Sequence, residues 1–481
     1  MRHSCAIAIA LFAAAPAAAQ NGAAPAKLSQ LIPNLMHLAE VPGLSIATIE
    51  DGKVQWIGSF GVKSVKTGEK VDERTIFPAA SLGKPVFAYG VLKLADAGRI
   101  DLDAPLSRYV PGYLEGDERI NRITARLVLT HRTGFPNWRP NGKPLLIHFE
   151  PGERFSYSGE GFVYLQRAVE KIVGQPLDAF MQETVFQPLG MTSSSYLWQE
   201  RFEGAAVDGH SEAGAPSPLR RTVEGGSPIN GGGGPAAAST LLTTAADYAK
   251  FVIAVMNGTG LKPETARAML EPQSKVDAAC ANCIGKPVGP VSETIAWGLG
   301  IGLAQTTSGR WFWHWGDNGD YKNFVTASAG SKRGVVMFSN SANGMMILSD
   351  IAAAAMGEVS PAATWVHYER YDSPRMKLYR AILDGGIEAA LKQYQSQPPL
   401  DEDQMNALGL RLLRTKRFKE AIGILQLNVD AYPKSANTWD SLAWAWMSGG
   451  KELAIEYYKK SLELNPDNRN AVEALKKLEG K

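Results

Sequence analysis

Ser81-Leu82-Gly83-Lys84 is the run in this sequence best suited to making a nucleophile. It falls where an extended segment, Thr75-Ile-Phe-Pro-Ala-Ala80, gives way to a helical pattern. Positions i and i+3 share one face of a helix, one turn apart, so Ser81 and Lys84 come together. A lysine stripped of water by burial can shed its proton near neutral pH and accept the one leaving a serine hydroxyl. The start of a helix adds unpaired N–H groups and positive potential, which favour a developing oxyanion. Spacing alone does not make a site, because S-x-x-K recurs at Ser448-Gly449-Gly450-Lys451 inside a helical turn. Pro85 disfavours α geometry at Lys84, which is acceptable if Ser81 to Lys84 form the first turn.

Four stretches follow one another along the chain: PAASLGKP (78–85), LVLTHRTGFPNW (127–138), PGERFSYSGEGFVYLQ (151–166) and WHWGDNG (313–319). In this order they resemble the serine β-lactamase and penicillin-binding superfamily. The nearest branch holds class C β-lactamases, D-alanyl-D-alanine carboxypeptidases, D-aminopeptidases and family VIII esterases. The likeness takes in VFQPLGMTSSSY (185–196) and the glycine-rich approach to LLTTAADYAKF (241–251). That family gathers three motifs at one cleft: S-x-x-K, Y-x-N, and K-T-G or H-x-G on an edge strand. Here they correspond to Ser81 with Lys84, Tyr157-Ser158-Gly159, and His314-Trp315-Gly316.

The resemblance implies that Ser81 attacks a carbonyl and becomes acylated, while Lys84 and Tyr157 share the proton transfers. The backbone N–H groups of Ser81 and Asp317, the residue after Gly316, would form the oxyanion hole. His314 would line the cleft on the edge strand and orient a substrate carboxylate or carbonyl. The second motif keeps its tyrosine and has Gly159 where the family has asparagine. That lowers the expectation of efficient β-lactam hydrolysis and raises that of an esterase or a peptidase of other specificity. Glu160 is a partial substitute at most, since a carboxylate offers no amide donor.

No cofactor or metal is implied, and the seven histidines show no metal-ligand spacing such as H-E-x-x-H. Cys280-Ala-Asn-Cys283 lies in a Pro/Gly-rich loop and, in an exported protein, reads as a local disulfide. Gly298-Leu-Gly-Ile-Gly302 falls short of a dinucleotide fingerprint and reads as a strand with close backbone contacts.

These residues need a scaffold, and the chain between about 27 and 365 reads as one block. Leu44–Ile49 and Lys53–Ile57 flank the turn Asp51-Gly52 as a β-hairpin. Further strands are expected at Trp311–Trp315, Asn323–Thr326 and Gly334–Phe338. Helices are expected from Pro85 to Ala97, from Gly161 to Val173, and from a capping box at Thr244-Ala-Ala-Asp247 to before Gly258. Strands from both ends with helices between them predict an α+β domain, its antiparallel sheet closed by both termini. The run Gly231–Gly234 reads as a loop approaching the cleft.

The ends differ from this block. Arg2 and His3, the apolar run Cys5–Ala15, and Pro16-Ala-Ala-Ala19 form a signal-peptide pattern over residues 1–19, with cleavage near Ala19. The mature protein is then periplasmic or secreted, keeps two of its three cysteines, and has no membrane-spanning segment. Over residues 376–481, Leu408-Gly409, Leu412, Ala421-Ile422, Leu425 and Pro433 fall at tetratricopeptide spacing. Trp439, Leu442-Ala443, Trp446, Ala454-Ile455, Tyr458 and Pro466 repeat it, the closing prolines lying 33 residues apart. Residues 376–397 resemble a degenerate preceding pair, broken at Gly385-Gly386. Such an all-α repeat domain presents a groove to a peptide or supports its neighbour.

Fifty Lys and Arg against 48 Asp and Glu give a net charge of +2, which excludes a nucleic-acid-binding surface. The leading expectation is an exported serine hydrolase acting on an amide, ester or lactam in a small molecule or peptide, with a protein partner conceivable at the repeats. The alternatives are a β-lactamase in the strict sense and a non-catalytic interaction protein whose repeats bind a partner while the hydrolase fold only recognises peptidoglycan-like ligands.

Overall fold

The computed structural model describes residues 23–229, 232–394, 399–447 and 449–480. The signal peptide expected over residues 1–19, Gly231, residues 395–397 and Ser448 of the second S-x-x-K lie outside them.

Helix α1 (Ala23–Ala39) precedes the hairpin β1 (Gly43–Glu50) and β2 (Lys53–Gly61). At its tip Asp51 and Gly52 have φ of 52° and 70°, the two left-handed residues that let a two-residue turn follow the strand twist. Short β3 (Phe77–Pro78) leads into α2 (Gly83–Asp96), followed by α3 (Ala125–Leu129), α4 (Gly159–Val173) and α5 (Leu177–Met181). Strands β4 (Gly209–His210) and β5 (Pro216–Ser217) form a small ribbon, and β6 (Leu242–Thr243) pairs with β3. Helices α6 (Ala245–Asn257) and α7 (Pro263–Met269) come next. Strands β7 (Ser274–Asp277), β8 (Val291–Trp297), β9 (Gly302–Thr306), β10 (Gly309–Asp317), β11 (Lys322–Ser328) and β12 (Arg333–Ser339) then run in succession. After α8 (Leu348–Met356) and α9 (Pro361–Trp365) the remaining elements among the described residues are all helices.

The main sheet has eight strands in the order β2-β1-β12-β11-β10-β9-β8-β7. Strand β1 lies antiparallel to β12, with Ile46 opposite Met337. Alternation divides the core into two layers. Val335 and Met337 face a cluster with Leu28, Ile32 and Ile351 of α1 and α8, whereas Val336 and Phe338 face one with Val86, Phe87 and Val252 of α2 and α6. On β10 the same rule puts Trp311 and Trp313 in the first layer and Phe312 in the second. His314 and Gly316 therefore share the face of Phe312, the face that meets α2.

Three local expectations are corrected. Helix α2 starts at Gly83, ahead of Pro85, which fits because the first turn needs no amide hydrogen at that position. Thr244 caps α6 by accepting from Asp247 N–H, but the Asp247 carboxylate accepts instead from Ser193 N–H at 2.7 Å and Ser194 Oγ at 3.1 Å, so the box is only half formed. Gly298–Ile301 is the connection between β8 and β9 rather than a strand, and a Cβ on Gly298 would lie 2.1 Å from Met269 O.

The C-terminal helices are α10 (Pro374–Tyr394), α11 (Glu402–Arg414), α12 (Phe418–Ala431), α13 (Ala436–Trp446), α14 (Lys451–Leu464) and α15 (Arg469–Glu479). Gly386, with φ of 78° and ψ of 171°, breaks α10. A Cβ on Gly409 would lie 2.4 Å from Leu425 Cγ, so α11 and α12 approach as closely as they do only without one. Buried Arg411 ties this region to the sheet-bearing part, donating to Glu40 at 2.8 Å and Asn343 at 3.3 Å.

Candidate active site

Ser81 occupies a single tight turn, Ala80–Leu82, joining β3 to α2. Ala80 has φ of 52°, a conformation costing about 1–3 kcal/mol for a residue with a side chain and held only by strong surroundings. Those surroundings include four hydrogen bonds to the backbone on either side of it. Ala79 N–H donates to Leu241 O at 2.7 Å, and Asn323 Nδ2 donates to Pro78 O at 2.8 Å. Tyr248 and Tyr196 hydroxyls donate to Leu82 O at 2.9 Å and Gly83 O at 2.5 Å.

Lys84 is wholly buried, its Nζ 2.9 Å from Ser81 Oγ and 2.7 Å from Ala238 O. Among the described residues no carboxylate pairs with it. Its Nζ instead lies over the rings of Tyr157, Trp138 and Phe162, at 4.9, 5.7 and 5.8 Å. Burial without a counter-charge holds its pKa well below the usual lysine range.

Tyr157 precedes α4, whose N-cap is Ser158: the Ser158 hydroxyl accepts from Gly161 N–H at 2.9 Å and donates to Pro136 O at 2.8 Å. Burial pushes the Tyr157 phenol above its ordinary pKa, opposed by the Ser81 hydroxyl it faces. The two groups are thus biased in opposite directions, the lysine towards its free amine and the tyrosine towards its phenol.

Strand β10 closes the site from the other side. A Cβ on Gly316 would lie 2.3 Å from Ala79 O, so only glycine lets the strand lie against the Ser81 turn. Asn318 N–H donates to Tyr321 O at 3.1 Å, and in an antiparallel ladder the next N–H back, that of Asp317, points the other way. It points to the side where β9 pairing has already ended at Trp313 opposite Gly302. The Asp317 carboxylate is held by Tyr368 Oη and Lys322 Nζ, each at 2.5 Å. Beside this edge Trp138, Ser239, Asp317 and Asn318 line a cavity of about 680 Å³, and Gly233 and Gly234 of the glycine run also reach it.

His314 is placed differently from expectation. Strand β10 is interior to the sheet and is an edge only beyond Trp313, and His314 is fully buried rather than on a cleft wall. Its Nδ1 lies 2.7 Å from Trp315 O, and burial, aided by Lys84, lowers its pKa from 6.5 to about 3. A neutral ring in that position packs beneath the site, 5.9 Å from the Tyr157 ring, and brings no cation to a carboxylate.

A family model described as Beta-lactamase matches residues 28–355. The chain belongs to the β-lactamase family. It is 25% identical over 345 residues to penicillin-binding protein 4 of Amycolatopsis lactamdurans, covering 66% of this chain and 86% of that one. To esterase EstB of Burkholderia gladioli it is 27% identical over 227 residues, covering 40% of this chain and 56% of the esterase. A solved D-alanine carboxypeptidase AmpC from Burkholderia cenocepacia superposes with a TM-score of 0.56 at 20% identity, covering 69% of this chain and 98% of that one. An octameric penicillin-binding protein homologue from Pyrococcus abyssi gives 0.57 at 22% identity, over 75% and 82% of the two chains. The two structures show a common fold, and the family makes this protein, in general terms, a serine acyl-transfer hydrolase.

Two features of this β-lactamase-family site escape the sequence reading. His131, with φ of 53°, lies against the Tyr157 ring at 4.3 Å, and its Nδ1 accepts from Ser158 N–H at 3.0 Å. Accepting there leaves the ring proton on Nε2, and burial holds its pKa well below 6.5. The signal available was His131 within LVLTHRTGFPNW, whose spacing to Tyr157 says nothing of contact. The second feature concerns Gly159. A Cβ there would lie 2.8 Å from Asn137 O and 3.0 Å from the Trp138 ring, while Asn137 Oδ1 accepts from Gly159 N–H at 3.0 Å. No side chain fits at 159. Glu160 offers no replacement either, because it is buried against Tyr113 Oη and Arg139 Nη2, each at 2.6 Å.

Proposed function

We propose that the protein hydrolyses esters or amides through an acyl-Ser81 intermediate. The observation that carries this is the buried Lys84 amine 2.9 Å from Ser81 Oγ, with no carboxylate paired to it among the described residues. In its free form the amine accepts the hydroxyl proton as Ser81 Oγ bonds to the substrate carbonyl carbon. The Ser81 and Asp317 N–H groups receive the oxyanion. The Tyr157 phenol, held protonated by burial, gives a proton to the leaving group as the scissile bond breaks and regains one from the Lys84 ammonium. Water then attacks the acyl-serine by the reverse route, restoring the hydroxyl. The opposite biases of the two groups favour this division of labour over one in which a phenolate takes the first proton.

Gly159, hemmed in by Asn137 and Trp138, favours esters and peptide-like amides over β-lactams. Export through residues 1–19 and a tetratricopeptide-like role for residues 376–481 belong to the same reading, supported by the leader pattern and the paired helices. A fluorophosphonate or fluorescent penicillin should label the wild type covalently and leave Ser81→Ala unlabelled. Equal labelling of both refutes the nucleophile, and labelling of neither favours the recognition-protein alternative. A panel of nitrocefin, p-nitrophenyl esters and D-amino-acid amides tests the substrate class: nitrocefin turned over far faster than the esters would make it a β-lactamase.

A further inference from the structure

The connection between β7 and β8, residues 278–290, contains the disulfide Cys280–Cys283. Both cysteines are buried, and Ala281 between them packs into the apolar cluster that includes Tyr157. This small ring presents two backbone groups to the segment carrying the tyrosine. Tyr157 N–H donates to Ala281 O at 2.8 Å, and Cys283 N–H donates to Ser156 Oγ at 3.2 Å. Residues 155–157 belong to no helix or strand, so no ladder holds them. Their main chain hangs on two supports: this loop, and His131, whose O accepts from Ser156 N–H at 2.9 Å and whose Nδ1 accepts from Ser158 N–H at 3.0 Å.

The base of the loop is itself fixed. The Asp277 carboxylate accepts from the N–H groups of Ala279, Cys280 and Gly289 at 2.8, 3.2 and 2.9 Å. Asp277 O accepts from Trp365 Nε1 at 2.8 Å, and the Trp365 ring packs on Trp315 of β10. Asp277, Cys280 and Cys283 could otherwise hold a metal ion, but the sulfurs are bonded to each other and the carboxylate is filled by backbone donors. The cross-linked loop therefore runs from the Trp365 contact with Trp315, the neighbour of Gly316, to the backbone of Tyr157.

We propose that the Cys280–Cys283 loop is the positioning clamp for Tyr157, so that proton transfer at Ser81 depends on the disulfide being closed. The inference rests on the reading of Tyr157 as the proton-transfer phenol. With the bond open, the ring of residues 280–283 gains backbone freedom, and the Ala281 carbonyl is no longer held against Tyr157 N–H. A displacement near 1 Å at a reacting group costs about a hundredfold in rate.

The full-length protein is assayed on p-nitrophenyl butyrate before and after dithiothreitol, which delivers two hydrogens to the disulfide and leaves as its own cyclic disulfide. Mass spectrometry confirms the gain of two hydrogens. Reduction should lower kcat by about tenfold to a hundredfold, leave KM unchanged, and reverse on reoxidation. Cys280→Ser with Cys283→Ser should show the lowered kcat without reductant and no response to it. In a Tyr157→Phe background, reduction should add no further loss, because clamp and phenol act through one step. Ser156→Ala removes one clamp bond without touching the cysteines; it should lower kcat severalfold, and Ser156→Thr should restore it. Complete reduction with kcat unchanged overturns the clamp, as does an equal loss in Tyr157→Phe. If Tyr157→Phe itself keeps the wild-type kcat, the underlying reading of Tyr157 fails instead.

Discussion

Replacing Gly316 by alanine tests the geometry around Ser81 with a magnitude that can be worked out beforehand. The added Cβ would stand 2.3 Å from Ala79 O and 3.2 Å from Ala80 Cβ, where ordinary contact begins at 3.4 Å. The Ser81 turn cannot yield, since Ala80 is already in the left-handed region and its neighbours are anchored by four hydrogen bonds. Strand β10 must retreat by about 1 Å, as close-packed interiors do not absorb such overlaps. Asp317 moves with it. An oxyanion donor works at about 2.7–3.1 Å, so a retreat of that size takes the Asp317 N–H out of bonding range. Loss of one such donor lowers kcat by about 10²–10³, or about 3–4 kcal/mol of transition-state stabilisation. Overpacking also costs about 1–3 kcal/mol of stability, leaving a folded protein with a lower Tm. Steady-state hydrolysis of p-nitrophenyl butyrate, read with a thermal melt, separates the two effects. A folded Gly316→Ala protein with wild-type kcat would refute the oxyanion assignment.

The remaining predictions concern charge and shape. With the free Lys84 amine as the proposed base, kcat/KM should rise with pH and level off well below 10.5, and Lys84→Met should lose about 10²–10⁴ in kcat. Buried His314 stays neutral until about pH 3, whereas an unfolded histidine takes its proton below 6.5. The unfolded chain binds more protons between those values, so stability falls as pH drops through that window. His314→Gln should make that part of the curve of Tm against pH shallower, leaving the share due to buried His131. Gly159→Asn, which restores the family's second motif in letters only, would bring its Cβ to 2.8 Å from Asn137 O. It should slow ester hydrolysis and give no gain on nitrocefin; faster nitrocefin turnover would contradict the crowding described at that residue.

Some of this was legible from local pattern, and the boundary is physical. Ser81 and Lys84 meet across one turn, so their spacing alone juxtaposes them, and the Asp51-Gly52 hairpin and the left-handed Gly174 closing α4 are equally local. His131 and Tyr157 are 26 positions apart in sequence and touch because the chain leaving α3 packs against the chain entering α4, which no spacing records. The neutrality of His314 likewise depends on its burial in the fold, and β10 is an edge only at its end because pairing with β9 stops at Trp313. The absence of a side chain at Gly159 was visible in the sequence, but its cause, Asn137 seated in the space, was not. Short, mostly apolar runs identified β10 to β12, whereas β7, with the burial of its four residues interrupted by exposed Lys275, carries too little pattern to be read.

The pairing of β1 with β12 sets a clock on the protein's maturation. Ile49 lies opposite Gly334, 285 positions further along the chain. At a synthesis rate of about 5–20 residues per second, the finished hairpin waits about 15–60 s for its neighbour. An isolated hairpin is marginal in water, and its unpaired edge invites wrong partners during that interval. Gly316 and Asn323, which brace the turn around Ser81, arrive just ahead of the same last strand. Ser81 and Lys84 are thus among the early residues to emerge and among the last whose surroundings are completed, so the proposed nucleophile has no finished site until the sheet is closed.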